Sequence, residues 1–167
     1  MKICVVGTGY VGLSLAILIS QKYEVVALDI DKKKVDLINK KQSPIQDKEI
    51  EEYLKNKKLN LNATLNNNQA YANAIYTIVA TPTNYNEDTG KFDTSSVEQV
   101  IEEISSINPS TNIVIKSTVP LGFTDKIKAK LNIKNLFFSP EFLRETKALF
   151  DNLHPSRIVV GDVNEEA

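Results

Sequence analysis

The sequence predicts an α/β fold of the doubly wound kind, in which helices cover both faces of a parallel sheet. Short apolar runs rich in β-branched residues recur along the 167-residue chain, as is typical of buried parallel strands. Between these runs lie stretches whose apolar residues recur at helical spacing. Strands that alternate with amphipathic helices form βαβ units, and these units build a parallel sheet.

The predicted elements follow one another in a regular order. Apolar runs predict strands at residues 3–6, 25–28, 75–80, 113–115, 136–138 and 157–160. Helical spacing predicts helices at residues 10–22, 32–40, 48–57 and 124–131, and a further one that starts at Ser95, where Glu98 completes a capping box. Residues 59–68, with a short strand near residue 63, and residues 84–92 are expected to be mostly loop. Since no internal boundary is visible, we expect one domain over residues 1–167.

Composition and charge exclude several classes of function. The formal net charge is -1, which gives no electrostatic reason to bind nucleic acid or an anionic membrane. No apolar run approaches the ~20 residues that span a bilayer. The single cysteine, Cys4, excludes an intramolecular disulfide and a cysteine-built zinc site, and we expect no metal. We expect a cytoplasmic protein in which Cys4 is a small buried hydrophobe of the first strand.

A glycine-rich segment, Gly7-Thr8-Gly9-Tyr10-Val11-Gly12, separates the first predicted strand from the first predicted helix. It fits the G-x-G-x-x-G pattern in the context that gives the pattern meaning. Gly7 permits the tight turn, Gly9 lets a pyrophosphate approach the backbone, and Gly12 lets the helix pack close to the sheet. The helix N-terminus then offers free N–H groups to the phosphates. The segment therefore predicts a dinucleotide site of the Rossmann type.

Asp29 ends the second strand, about 20 residues after the glycine segment, where a ribose-binding acid is expected. Its carboxylate would accept hydrogen bonds from ribose hydroxyls and would repel a 2′-phosphate. At ~5 Å and an effective dielectric constant of about 20, each pair of like charges costs roughly 3 kcal/mol. Ile30 and Asp31 follow, rather than an arginine. The sequence therefore predicts NAD, not NADP, as the cofactor.

Three polar segments, residues 81–83, 117–120 and 139–145, follow later strands, at the sheet edge where ligands bind in open α/β folds. In the last segment, Ser139 is predicted to cap a helix that begins at Pro140. Glu141 and Glu145 would then share a helical face, and such a like-charged pair mildly destabilises a helix. The two acids therefore indicate a site, while turns, caps and a solvated face are the alternative interpretation.

Together these segments resemble the UDP-glucose/GDP-mannose dehydrogenase family. The resemblance covers the whole chain and rests on Asp29, on the glycine segment up to Leu13 and on five other segments. These are Ser43-Pro44-Ile45, Thr81-Pro82-Thr83-Asn84-Tyr85, Ser117-Thr118-Val119-Pro120, Ser139-Pro140-Glu141-Phe142-Leu143-Arg144-Glu145 and His154-Pro155-Ser156-Arg157-Ile158-Val159. Members of the family oxidise the C6 hydroxyl of UDP-glucose to the carboxylate of UDP-glucuronate and reduce two NAD⁺.

The resemblance, with the glycine pattern, implies a role for each matching residue. Contacts to NAD are expected from Gly7, Gly9, Tyr10, Val11, Gly12, Asp29, Lys34, Thr83, Thr118 and Glu145. Catalytic roles are expected for Thr118, which would help to position a water, and for Glu141, the acid/base of aldehyde oxidation. Contacts to the substrate are expected from Glu141, Phe142, Leu143, Arg144 and Glu145.

The family's nucleophilic cysteine lies later than residue 167, as do its dimerising helix and its UDP-binding domain. The resemblance therefore implies an NAD-binding domain that binds cofactor without turnover and a homodimeric parent that binds UDP-glucose. Two alternatives are open: a stand-alone NAD-sensing regulatory domain, or a related dehydrogenase that acts on GDP-mannose or UDP-N-acetylmannosamine. The acids after Ser139 and the position of Thr118 favour an enzyme.

Overall fold

The computed structural model describes residues 1–87 and 90–162, in which a six-stranded parallel sheet carries helices on both faces. The strands are β1 (Lys2–Val6), β2 (Glu24–Leu28), β3 (Leu61–Thr64), β4 (Tyr76–Val79), the hairpin strands β5 (Asn84–Asn86) and β6 (Lys91–Asp93), β7 (Asn112–Ile115) and β8 (Leu136–Phe138). The helices are α1 (Tyr10–Ser20), α2 (Lys32–Asn39), α3 (Lys48–Asn56), α4 (Asn67–Tyr71), α5 (Ser95–Ile107), α6 (Phe123–Leu131) and α7 (Ala148–Leu153). None of the helices in the described ranges is long and apolar enough to cross a membrane.

The strand order β3-β2-β1-β4-β7-β8 reverses direction between β1 and β4. In the register of β1, Val6 lies opposite Leu28 of β2 and Val79 of β4, so all three strands end at one level. A crevice forms outside the strand ends at such a reversal point, because the connections leave toward opposite faces of the sheet. The doubly wound fold predicted from the sequence is confirmed.

The two faces of the sheet carry separate apolar cores, because side chains alternate along each strand. Cys4 and Val6 of β1 pack in the core that includes α5 and α6. Val5 points to the opposite face, toward Ala16 of α1. Burial raises the pKa of the Cys4 thiol to about 12. The prediction that Cys4 is a buried hydrophobe is therefore confirmed.

Most predicted elements occur within one or two residues of their expected bounds, but two segments expected to be loop are ordered. Residues 67–71 form α4, because the side chain of Asn66 caps the helix and Tyr71 is fully buried. Residues 84–86 and 91–93 pair as an antiparallel hairpin. Its Tyr85 and Phe92 rings pack edge to face at 5.2 Å, a cross-strand contact that the loop prediction did not include.

Two further predictions need correction. Residues 157–160 form no strand within the described part of the chain, although the Gly161 N–H donates to the Phe138 carbonyl at 2.7 Å. Ile158 there is 75% exposed, so its apolar pattern lacks the cover that a buried strand requires. The capping box predicted at Ser95 is wrong: Ser95 is the first residue of α5, and the N-cap residue is Thr94, which donates a hydrogen bond to Glu98 at 3.0 Å.

Candidate functional site

A cleft of about 1050 Å³ opens at the carboxyl ends of the central strands. The glycine segment, Asp29 and the loops after β4, β7 and β8 line it, and α4 and α5 form one wall. Its volume matches the upper range of small-molecule sites, roughly 300–1,000 Å³. The cleft therefore lies where the sheet topology places a ligand site.

The three glycines of the glycine-rich segment serve different geometric needs. Gly7 has a φ of +90°, and a Cβ there would lie 2.6 Å from the Ala80 carbonyl oxygen. A Cβ at Gly12 would lie 1.8 Å from the carbonyl oxygen of Gly7, so these two glycines are required by packing. At Gly9, by contrast, no described heavy atom lies within 4 Å of an added Cβ. The missing side chain of Gly9 is therefore not required by packing; it leaves open space in the cleft.

Helix α1 presents its positive end to this open space. Among the described residues, no side chain caps its first turn, and the turn contains no acid. The first intrahelical bond runs from the Leu13 N–H to the Gly9 carbonyl, which leaves the preceding N–H groups outside the helical ladder. Free N–H groups and the helix dipole together favour an anion such as a pyrophosphate.

Asp29 lies beside this helix start and is held by several donors. Its Oδ2 accepts hydrogen bonds from the Thr8 N–H at 2.8 Å and the Thr8 hydroxyl at 2.5 Å, and its Oδ1 accepts one from the Asp31 N–H at 2.9 Å. The Lys34 Nζ lies 3.9 Å from Oδ2. Burial opposes ionisation of Asp29, but the hydrogen bonds and Lys34 outweigh it and hold its pKa below its usual range. The carboxylate is therefore ionised at neutral pH, and Oδ1 retains acceptor capacity for a ribose hydroxyl.

Lys116, which directly follows β7, contributes a partly buried ion pair on the opposite side of the cleft. Its Nζ lies 2.5 Å from Glu141 Oε1 and 3.0 Å from Ser139 Oγ. The Lys116 and Glu141 side chains are only 11% and 15% exposed. Ser117, the next residue, donates its hydroxyl to the Thr81 carbonyl at 2.6 Å and so ties together the loops after β4 and β7.

Residues 139–144 after β8 have no regular structure and are not helical as the sequence predicted. The Ser139 N–H donates to the Ile115 carbonyl at 2.9 Å and continues the pairing of β8 with β7. No helix follows Ser139, whose hydroxyl accepts a hydrogen bond from Lys116, and the first helical turn begins only at Glu145. Pro140, Glu141, Leu143 and Glu145 line the large cleft, and Glu141 and Leu143 also line a smaller cleft beside it.

The intervening residues, Phe142 and Arg144, line a smaller cleft of about 230 Å³. Arg144 donates to Asp151 from its backbone N–H and from its guanidinium Nε and Nη2, at 2.8, 3.1 and 2.6 Å. These hydrogen bonds lower the pKa of Asp151 to about 2. The Arg157 guanidinium lies 3.9 Å from the centre of the Phe142 ring.

The large cleft brings together most residues predicted for the site. Those that line it are Gly7, Gly9, Tyr10, Val11, Asp29, Lys34, Thr83, Thr118, Glu141, Leu143 and Glu145. Gly12 does not line the cleft; it allows α1 to pack closely against the backbone of Gly7. Sequence reasoning missed Thr8, Lys116 and the wall formed by α4 and α5. Lys116 could have been noticed as a lysine at the end of an apolar run, whereas the wall depends on packing that no local pattern reports.

A parallel sheet with a glycine turn at its reversal point, an uncapped helix start and an ionised acid after the second strand defines a dinucleotide-binding domain of the Rossmann type. All of residues 1–167 match the model of the NAD binding domain of the UDP-glucose/GDP-mannose dehydrogenase family. The chain therefore belongs to this family and is its NAD-binding domain. The family resemblance and the NAD cofactor predicted from the sequence are confirmed.

The relatives agree with this assignment. The UDP-glucose 6-dehydrogenase of Streptococcus pneumoniae is 54% identical over 161 residues, which are 96% of this chain and 41% of the relative. That of Campylobacter jejuni is 52% identical over 164 residues, 97% of this chain and 42% of the relative. The structure of Pseudomonas aeruginosa GDP-mannose dehydrogenase matches with a TM-score of 0.88 at 27% identity, over 99% of this chain and 42% of that one. The chain thus spans about two fifths of the length of these relatives.

Proposed function

We propose that residues 1–167 form the cofactor domain of a UDP-glucose 6-dehydrogenase that oxidises UDP-glucose to UDP-glucuronate with two NAD⁺. The observation that carries the proposal is that the α1 N-terminus, the ionised Asp29 and the acids Glu141 and Glu145 all line one cleft. Identities of 54% and 52% to two UDP-glucose 6-dehydrogenases support this substrate. Among the solved structures, a UDP-glucose dehydrogenase, a GDP-mannose dehydrogenase and a UDP-D-ManNAc dehydrogenase match at 28%, 27% and 26% identity, so the substrate proposal rests on the two closer sequences.

In this proposal the residues of the cleft hold NAD at three places. The N–H groups at the start of α1, near Tyr10 and Val11, bind the pyrophosphate. Asp29 accepts hydrogen bonds from the adenosine ribose, and Lys34 offsets part of its charge. Thr83, Thr118 and Glu145 line the far end of the same cleft and serve the nicotinamide half. The bound NAD supplies a hydride acceptor for each of the two oxidations.

The same chain would contribute proton transfer and part of the substrate site. Glu141 acts as the acid/base, and Thr118 helps to position the water that aldehyde oxidation consumes. The segment from Phe142 to Arg144 contacts the nucleotide sugar. Cys4 is excluded as the nucleophile because it is buried and its pKa is raised to about 12. In this proposal the parent protein is a cytoplasmic homodimer, and its nucleophile, most of its UDP site and its dimer contacts come from the part that the relatives have beyond the two fifths matched by this chain.

Calorimetric titration of the chain with NADH and then with NADPH tests this function. We expect NADH to bind and NADPH to bind roughly 10- to 100-fold more weakly, because Asp29 repels a 2′-phosphate and Lys34 cancels only part of that repulsion. Incubation with UDP-glucose and NAD⁺ should produce no NADH. Equal affinity for NADH and NADPH would contradict the role of Asp29. Turnover of UDP-glucose by the chain alone would contradict the proposal that this chain binds cofactor without catalysing the reaction.

A further inference from the structure

The ion pair between Lys116 and Glu141 is built into the sheet rather than formed by chance on a surface. The Lys116 N–H donates to the Val79 carbonyl at 2.8 Å, which fixes the lysine backbone beside β4. The Ser139 N–H donates to the Ile115 carbonyl at 2.9 Å, which fixes the start of the acidic segment beside β7. The two side chains therefore meet from two backbones that are themselves held by ladder hydrogen bonds.

We propose that Lys116 is the positioning residue of Glu141: its ammonium group binds Oε1 and leaves Oε2 as the oxygen that exchanges a proton in the cleft. This inference rests on the proposed function, in which Glu141 is the acid/base. Within the described residues, the Lys116 ammonium group donates a hydrogen bond to Ser139 Oγ and forms an ion pair with Glu141 Oε1. The serine thus fixes the direction from which the lysine approaches the carboxylate.

The energetics of buried ion pairs favour a functional role over a purely structural one. Bringing two charges into a site that is only 11% and 15% exposed costs desolvation energy, and apolar replacements of such pairs are often neutral or stabilising. Both residues line the ligand cleft instead of the apolar core. A charge that is held in one orientation is useful where a reacting group must be presented in a fixed geometry.

The chain itself allows a direct test by NMR at neutral pH, with glutamate labelled with ¹³C at Cδ and the Glu141 signal assigned with E141Q. We expect K116M to move the Glu141 signal to the position of exposed glutamates and K116R to keep it near its wild-type position. K130M is the matched control, because Lys130 pairs with Glu102 at 2.8 Å on the surface, where both side chains are 48% exposed. An unchanged Glu141 signal in K116M overturns the proposal, and K116Q serves the same comparison if K116M does not fold.

NADH added to the same samples separates this inference from the proposed function. If the amides of the glycine segment do not respond to NADH while the Glu141 signal still depends on Lys116, the cofactor function fails and the positioning contact stands.

In the full-length dehydrogenase, we expect K116M to lower kcat at least about 100-fold, which is within the range of a general acid/base contribution. We expect KM to stay nearly unchanged. K116R should recover most of kcat. A K116R variant as inactive as K116M would overturn the positioning role.

Discussion

The two sides of the cleft are held together by different means. On one side, the glycine segment and Asp29 are placed by consecutive regular elements, β1, α1 and β2, and by hydrogen bonds from Thr8 and Asp31. On the other side, residues 140–144 belong to no helix or strand, and the helix α7 that follows them is held by side chains of distant segments. Asn152 donates to the Ser14 hydroxyl at 2.8 Å, and the Leu149 N–H donates to Asp47 at 3.4 Å. The cofactor side is therefore a local motif, whereas the acidic side is a product of tertiary packing.

The largest effect should come from alanine at the glycines of the local motif. In G12A the added methyl would lie 1.8 Å from a backbone oxygen, and this strain outweighs the gain in helix propensity. We expect the free energy of unfolding to fall by about 3 kcal/mol or more.

The G9A variant should lose binding instead of stability. No described atom obstructs its methyl group, so its stability should stay near wild type. NADH binding should fall at least about tenfold, because the methyl fills the space left for the pyrophosphate. Urea unfolding and calorimetry measure the two effects. A G9A variant that binds NADH normally would contradict the assignment of this space to the cofactor.

The next largest effect on binding should come from Asp29. D29A removes a hydrogen-bonding carboxylate, and bonds to charged groups contribute roughly 1.5–3 kcal/mol, so NADH affinity should fall about 10- to 100-fold. Asp36 of α2 is the control, because it pairs with Lys32 at 2.6 Å on the exposed side of the helix. D36A should leave NADH binding unchanged in the same titration. Equal losses in D29A and D36A would indicate a general charge effect in place of a ribose contact.

Asp47 offers a way to loosen the acidic side more than the cofactor side. Its Oδ1 accepts from the N–H groups of Glu49 and Ile50, both at 3.1 Å, and its Oδ2 accepts from Leu149, so it caps α3 and joins α7 to it. D47A should cost about 2 kcal/mol of unfolding free energy, at the upper end of capping effects. Hydrogen exchange should quicken in residues 141–153 more than in α1. Equal loss of protection on both sides of the cleft would contradict the independence of the two regions.

The smallest predicted effect is a titration. Hydrogen bonds from Arg144 lower the pKa of Asp151 to about 2. The contribution of this pair to folding stability is therefore fully present above the ordinary aspartate pKa of about 4. It is lost as the pH falls through about 2. In R144Q the Asp151 pKa should return toward its ordinary value, whereas R144K should keep part of the shift. Carboxyl ¹³C NMR measures both variants. An Asp151 pKa that does not respond to R144Q would remove Arg144 as its cause.

The difference between a local motif and a site built by tertiary packing also explains which parts of the fold and site the sequence could predict. The order from β1 through Asp29 was predicted closely, because every signal lies within one strand–helix–strand unit. Glu141 and Glu145 were expected on one face of a helix; both line the large cleft, but residues 141–144 have no regular structure. Lys116 finds its partners 23 and 25 residues away on the next strand connection, and no local periodicity encodes that pairing.

A titration of the chain with NADH, followed through backbone amide signals, tests most directly whether the two sides form one cofactor site. We predict that the amides of Gly7, Gly9 and Tyr10 and those of Thr118 and Glu145 shift along one binding curve with a common midpoint. Shifts confined to the glycine segment, or no shifts at all, would contradict a single site that reaches from the α1 N-terminus to the acids after β8.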